Sequence, residues 1–297
     1  MNVPRWLLQI TLITAAVLLP ATDSLPAVES SPGDWEQLEP GLHLGTFSAP
    51  VPSEQGDSLI HVLRADTSHF ELRLLNASAP SQGKRQTARE WAQNNTLVAA
   101  INASMYQANL STSISLMRSR GHVNSARLSK DKTLLAFDPI DSTYPEVQII
   151  DRECQDFDRL KDKYRSLVQS IRMVSCQGKN VWKTQNDKWS IAAIGVDTEG
   201  RVLFIHVRSP YGTHELIDML LKLPLSLDRA MYVEGGTQAQ LYINTPAKEY
   251  EFLGGYSSAS ETGNGNQFAW PLPNIIGLVR KNEGAQKTVS PTPRRNP

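Results

Sequence analysis

Cysteine is scarce in this chain: two residues in 297, Cys154 and Cys176. That number excludes a disulfide-built scaffold and a cysteine-rich zinc module. An excess of one charge is missing too, with 30 Lys+Arg against 30 Asp+Glu. Nucleic-acid binders and polybasic membrane-surface proteins need positive excess, so both classes lose support. The six histidines, at positions 43, 61, 69, 122, 206 and 214, show no metal-ligand spacing, and no metal or cofactor is expected. His206 sits inside an apolar run and reads as a core residue. Neither His-Glu-x-x-His nor Gly-x-Ser-x-Gly occurs, which removes the signatures of zinc proteases and serine hydrolases. No internal repeat and no Gly/Pro-rich linker divides the body, so one domain is the default.

What is present is enough for a sizeable core: 40% hydrophobic and 20% charged residues. Residues 1–5 carry one positive charge, residues 6–19 none, and Pro20, Ala21, Ser24 and Ala27 follow. This is the three-part pattern of a signal peptide, placed at residues 1–27. Its apolar run is short for a membrane span, though an uncleaved anchor is the alternative. No cysteine follows it, which removes bacterial lipidation. The expectation is a periplasmic or secreted protein with no membrane contact after cleavage. Residues 28–34 read as a disordered leader, 35–280 as the folded domain, and 281–297 as a basic, Pro-containing tail.

Strand and helix signals alternate along the body. Residues 42–47, 58–64 and 70–75 read as strands; in the last, Phe70, Leu72 and Leu74 alternate with Glu71 and Arg73. Thr87 with Glu90 three residues on has capping-box spacing and predicts a short helix over 87–94. Residues 97–101 form a continuous apolar run, as in a central strand. Residues 156–169 read as an amphipathic helix, with Phe157, Leu160, Tyr164, Leu167 and Val168 on one face. Residues 191–196 and 202–207 are apolar strands joined by the turn Asp197-Thr-Glu-Gly200, and residues 214–223 predict another helix. The sum is an α+β body: a mixed or antiparallel sheet core with about three packed helices.

Three places carry candidate chemistry. Asn102 ends an apolar strand and meets a loop of small residues, the kind of place where a rigid scaffold presents a reactive group. The bland alternative is an Asn that only satisfies local backbone. Glu234 ends another apolar strand and precedes Gly235 and Gly236, which allow close backbone approach. A carboxylate there suits stabilisation of an oxocarbenium-like transition state, nucleophilic attack or base catalysis; the alternative is an exposed turn Glu. Arg208 lies in a loop between strand and helix, and an Arg there grips phosphate.

The order of these motifs resembles the phosphodiester glycosidase family, from about residue 69 to residue 279. An apolar strand ending in Asn is matched by Ala99-Ala-Ile-Asn102. A strand reading Ala-Ile-Gly-Val-Asp is matched by Ala193-Ile-Gly-Val-Asp197. The strand, Arg-containing loop and helix are matched over 203–223. The family's Asp-Gly-Gly-Gly-Ser is answered by Glu234-Gly-Gly-Thr-Gln238, and Pro273-Asn-Ile-Ile-Gly277 fits the last strand. Two departures stand out: Glu replaces Asp at 234, and Ile191-Ala192 replaces Arg-Thr before Ala-Ile-Gly.

The resemblance implies a divergent, bacterial-type branch that hydrolyses the bond between a sugar's anomeric carbon and a phosphodiester in envelope or extracellular glycans. The alternative is a non-catalytic binder of glycans or glycan phosphates on the same scaffold; a purely structural role is a third. Glu234 and Asn102 are then the catalytic candidates. Arg208, Arg172, Gly235, Gly236 and Thr237 are candidates for binding phosphate and sugar. Tyr106 and Tyr211 are candidate sugar-stacking platforms. The expected partner is a carbohydrate or glycan phosphate, not nucleic acid. In an oxidising compartment Cys154 and Cys176 are expected to pair as a structural staple. Asn76, Asn94, Asn102 and Asn109 begin glycosylation sequons, which are common by chance.

Overall fold

The computed structural model describes residues 34–257 and 267–281. The chain runs β1 (Asp34–Glu39), β2 (Leu42–Ser48), β3 (Leu59–Ala65), β4 (Phe70–Asn76), helix α1 (Ala88–Asn94), β5 (Ala99–Asn102), β6 (Met117–Ser119), β7 (His122–Ser125), β8 (Thr133–Pro139) and β9 (Val147–Asp151). A one-turn helix α2 (Phe157–Leu160) leads into β10 (Tyr164–Val174). Then come β11 (Trp189–Asp197), β12 (Val202–Tyr211), α3 (Thr213–Leu220), β13 (Leu227–Gly235), a 3-10 turn (Gly236–Gln238), β14 (Gln240–Asn244), β15 (Glu249–Leu253) and β16 (Asn274–Arg280).

The strands form two sheets. One has eleven strands, in the order β1-β2-β3-β12-β11-β13-β10-β6-β7, with β8 on β10 and β9 on β8. The other has five, in the order β15-β14-β5-β16-β4. The described pairs are antiparallel throughout, with no parallel component. The two sheets face each other across one apolar layer. Leu63, Ile194, Phe204 and Val233 of the large sheet meet Leu74, Ile101, Leu241 and Ile276 of the small one. Helix α3 covers the far side of the large sheet, where Leu216, Ile217 and Leu220 pack on Ile191, Ala193 and Ile205. Helix α1 covers the far side of the small sheet through Trp91, which packs on Ala100, Tyr242 and Ile275. The central strands are therefore buried on both faces, which is why residues 191–196 read as an unbroken apolar run rather than an alternation.

Several local expectations match. Strand β4 buries Phe70, Leu72 and Leu74 and exposes Glu71 and Arg73. The Thr87 hydroxyl accepts from the Glu90 amide at 3.2 Å, while the Glu90 carboxylate accepts from the Thr87 amide at 2.8 Å, so the capping box starts α1. At the turn after β11, the Asp197 carboxylate accepts from the Glu199 and Arg201 amides, and Gly200 takes φ of 79°. His206 is fully buried, and desolvation lowers its pKa to about 3, so it is neutral.

One expectation is corrected. Residues 156–169 are not a helix. Asp156 does cap a helix, its carboxylate accepting from the Arg159 amide at 3.1 Å, but the helix ends at Leu160. From Tyr164 the chain is strand β10, paired with β13, β8 and β6. The spacing of Tyr164, Leu167 and Val168 suits a helix face, yet these side chains are buried in a doubly covered strand. Pairing with distant strands outweighs the local period.

Cys154 and Cys176 form a disulfide with Cα atoms 6.5 Å apart, closing a separation of 22 residues across α2 and β10. A crosslink of that span removes conformational entropy from the unfolded chain. Cys176→Ser is expected to lower unfolding free energy by about 3 kcal/mol, read as a lower urea midpoint at constant slope. The signal peptide, leader and tail lie outside the described residues, apart from Asp34 and Lys281. Among the described residues no helix is long and apolar enough to cross a membrane.

Candidate active site

Glu234 sits at the end of β13, where the strand breaks register. Ala192 and its neighbour Ala193 pair with Glu234 and Tyr232, so Val233 is an extra residue, a β-bulge. Bulges re-aim side chains and occur next to active sites. Two glycines follow. Gly236 takes φ of 68°, a left-handed conformation that turns the chain into Gly236–Gln238. Gly235 is required for space: a Cβ there would lie 1.8 Å from the Tyr232 hydroxyl and 2.8 Å from the Trp189 ring.

The Glu234 side chain is only 8% exposed, and one carboxylate oxygen accepts from the Gly235 amide at 3.0 Å. Burial disfavours its charged form and raises its pKa to about 7; the Gly235 hydrogen bond opposes that shift only partly. Two tyrosine hydroxyls lie within electrostatic reach. Tyr106 is raised to about 12, mainly by burial and then by Glu234. Tyr232 is raised by the same two causes in the same order. Both hydroxyls therefore keep their protons at any physiological pH. The Tyr106 hydroxyl donates to the Gln238 side-chain oxygen at 2.6 Å.

Asn102 holds the turn. Its amide nitrogen donates to the Gln238 carbonyl at 3.0 Å, and its oxygen accepts from the Gln240 amide at 2.8 Å. The residue is 2% exposed, and both ends of its amide are engaged by backbone. It is thus a positioning residue for the segment that follows Glu234, and the reading of Asn102 as a backbone-satisfying amide describes its contacts. Thr237 is half-buried on the same turn. The structure therefore brings together Glu234, Asn102, Tyr106, Gly235, Gly236 and Thr237.

The other expected residues lie elsewhere. Arg172 donates to both carboxylate oxygens of fully buried Asp151, at 2.9 and 3.0 Å, beside the disulfide. Tyr211 is 1% exposed, with its hydroxyl on the Val51 carbonyl, so its ring offers no open face for a sugar. Arg208 donates to the Leu253 carbonyl at 2.8 Å and lies under Gly255, where a Cβ would meet its guanidinium carbon at 2.8 Å. The neighbouring Gly254 presses on the other side, against the Gly236 and Ala239 carbonyls. Residues 253–256 therefore run between Arg208 and the Glu234 turn. Arg208 instead lines a cavity of about 470 Å³ with Asp57, His61, His206 and Phe252.

Of the sequon asparagines, Asn76 and Asn102 are buried, which removes both as acceptors. Residue reading missed Tyr232 and Trp189 at the site; both come from positions within strands that carry no sequence signal beyond apolar character.

A buried carboxyl raised toward neutrality beside a glycine turn is a group that can hold or release a proton near pH 7. The phosphodiester glycosidase family matches over residues 95–279, and the chain belongs to that family. Among solved structures, the chain resembles the catalytic domain of zebrafish N-acetylglucosamine-1-phosphodiester alpha-N-acetylglucosaminidase, auto-inhibited by its pro-peptide. That match has a TM-score of 0.59 and 13% identity, covering 84% of this chain and 87% of the zebrafish one. A hypothetical protein from Synechocystis is similar at TM-score 0.55 and 12% identity, covering 85% of this chain and 64% of the other. No curated protein matches the sequence. At such identities the structural likeness speaks for the fold alone.

Proposed function

We propose that the protein hydrolyses sugar-1-phosphodiesters outside the cytoplasm, with Glu234 acting at the anomeric carbon. The observation that supports this best is the buried Glu234 carboxyl, raised to about 7 on a glycine turn, in a chain of the phosphodiester glycosidase family. A phosphate monoester leaves readily without a proton, so the site needs little general-acid help. It needs a carboxylate to stabilise positive charge at the anomeric carbon and to activate water, and a desolvated carboxylate does both strongly. Tyr106 gives its one proton to Gln238 and so helps hold the turn that follows Glu234. Asn102 keeps the Gly236–Gln240 backbone in place. Export rests on the signal-peptide pattern of residues 1–27 and on the Cys154–Cys176 disulfide, which persists in oxidising compartments.

The ionised form of Glu234 is the working one on this reading. Its pKa is about 7, so kcat/KM rises about tenfold per pH unit below that point and levels off above it. A rate profile from pH 5 to 9 checks the sign; a fall through neutrality would make Glu234 a general acid instead. The first substrates to try are methyl phosphodiesters of N-acetylglucosamine, glucose and mannose, with sugar release measured.

One observation favours a second reading, a glycan binder without turnover. Where the family carries Arg-Thr, this chain has Ile191-Ala192, both fully buried and apolar. That reading predicts binding of the same compounds with no sugar release by the wild type.

A further inference from the structure

A second opening lies on the same sheet face as Glu234. His61 of β3, His206 of β12, Ala192 of β11 and Glu234 of β13 pair in one row across neighbouring strands, and directly paired residues turn their side chains to the same face. Two strand spacings, about 10 Å, separate the His206 position from that of Glu234. Beyond Ala192 the row enters the cavity of about 470 Å³ lined by Asp57, His61, His206, Arg208, Glu251 and Phe252. That volume is ordinary for a pocket that holds a small molecule. Asp57 is exposed and His206 fully buried, so the cavity reaches from the surface to the sheet.

The buried end of this cavity lacks a hydrogen-bond donor. His206 is neutral, and its Nε2 lies 3.3 Å from the Ala239 carbonyl, which can only accept. Nε2 therefore carries the single ring proton, and Nδ1 is a bare acceptor. That Nδ1 is buried with no partner among the described residues, a state that costs free energy until a donor reaches it. The walls are rich in acceptors as well. Asp57 accepts from the Leu59 amide at 3.0 Å and the Ser209 hydroxyl at 3.1 Å, and Glu251 accepts from Arg89 at 2.8 Å. Each carboxylate has lone pairs to spare. With Arg208 the one cation among the lining residues, the cavity has no positive excess to hold an anion. His61 and Phe252 stack with ring centres 4.1 Å apart and supply a flat apolar wall.

We propose that this cavity binds an uncharged sugar unit, with one hydroxyl donating to His206 Nδ1, others meeting the Asp57 and Glu251 walls, and its C–H face against the His61–Phe252 wall. A pyranose carries hydroxyl donors around its edge and C–H groups on its faces, which is the complement of an acceptor-rich cavity with one aromatic wall. The site is distinct from the one at Glu234, because residues 253–256 run between Arg208 and that turn. The sugar is held here and not cleaved, so the inference stands whether or not Glu234 is catalytic.

The test titrates the full chain with the methyl glycosides of glucose, mannose and N-acetylglucosamine, and with methyl glucuronide as the charged control. The imidazole nitrogen NMR signals of the wild type report on His206 directly. At least one neutral glycoside is expected to move the Nδ1 signal of His206 in a saturable way, and the glucuronide to bind more weakly. His206→Leu removes the acceptor and leaves the Ala239 carbonyl its bond from the Gly254 amide. It is expected to weaken binding of that glycoside about tenfold or more, with the melting temperature equal to or above that of the wild type. Glu234→Gln leaves this affinity unchanged. A His206 signal that no neutral glycoside moves overturns the proposal even if the variant fails to fold, and leaves the hydrolase reading intact. Tighter binding of the glucuronide than of every neutral glycoside overturns it too, since the cavity would then be an anion site.

Discussion

Glu234→Gln lowers turnover of the sugar phosphodiester by about a thousandfold or more while leaving its binding within a few fold. Glutamine keeps the shape of the side chain and still offers an oxygen to the Gly235 amide, which the Glu234 carboxylate contacts at 3.0 Å. What it lacks is the negative charge and the basic lone pair that the anomeric centre and the attacking water require. Kinetics on a cleavable diester and calorimetry with the same compound separate the two effects. A variant that keeps more than a tenth of wild-type kcat would remove Glu234 from the chemistry.

The same substitution carries an internal control through stability. Burial raises the Glu234 pKa from 4.5 to about 7, so the folded chain holds this proton more tightly than the unfolded one. The contribution is fully present below about pH 4.5, declines as pH rises toward 7, and is gone above that. At pH 8 the buried charge costs about 3 kcal/mol relative to acid conditions. Glutamine does not ionise, so Glu234→Gln gains roughly that much at pH 8 over wild type and little at pH 4. Denaturant midpoints at the two values check it. An enzyme that is inactive and at the same time more stable at pH 8 has lost a functional group rather than its fold.

Much of this architecture could be read from the residues because it is local. The alternation of Phe70, Leu72 and Leu74 with Glu71 and Arg73, the Thr87–Glu90 capping box and the Asp197–Gly200 turn all act within a few positions. Glu234 stood out as an acid between an apolar strand and two glycines, a pattern that suits a site carboxylate and an exposed turn alike. What stayed hidden depends on contacts distant in sequence. Residues 164–169 have helical spacing but are buried by strands that arrive from far along the chain. The bulge at Val233 follows from a register that no single strand specifies. Tyr232 acquires its place at the site only because Gly235 leaves room for its hydroxyl. Arg208 is expected in a loop, yet it lies within β12, which runs on to Tyr211, and the Leu253 carbonyl that holds its guanidinium comes 45 positions further on.

That dependence on distant backbone makes Gly254 a sensitive position, and Gly254→Ala is expected to damage activity and stability together. A Cβ at 254 would lie 2.1 Å from the Gly236 carbonyl oxygen and 3.1 Å from that of Ala239. Both obstacles are backbone, and neither can rotate away as a side chain would. The Gly254 amide also donates to the Ala239 carbonyl at 2.7 Å, so the two segments cannot part without losing that bond. The methyl must push the Gly236–Gln238 turn by more than an ångström, at a cost of about 3 kcal/mol. A displacement of that size beside Glu234 is expected to lower kcat about a hundredfold even in the fraction that stays folded. Gly277→Ala is the comparison. A Cβ there meets only the tip of the Leu97 side chain, at 2.5 Å, on strand β16. It loses less stability and keeps kcat, because Leu97 can shift its rotamer without moving the turn. Equal effects of the two substitutions on kcat would mean that the Gly236 carbonyl does not set the geometry of Glu234. A selective loss in Gly254→Ala ties catalysis to the packing of residues 253–256 against the turn.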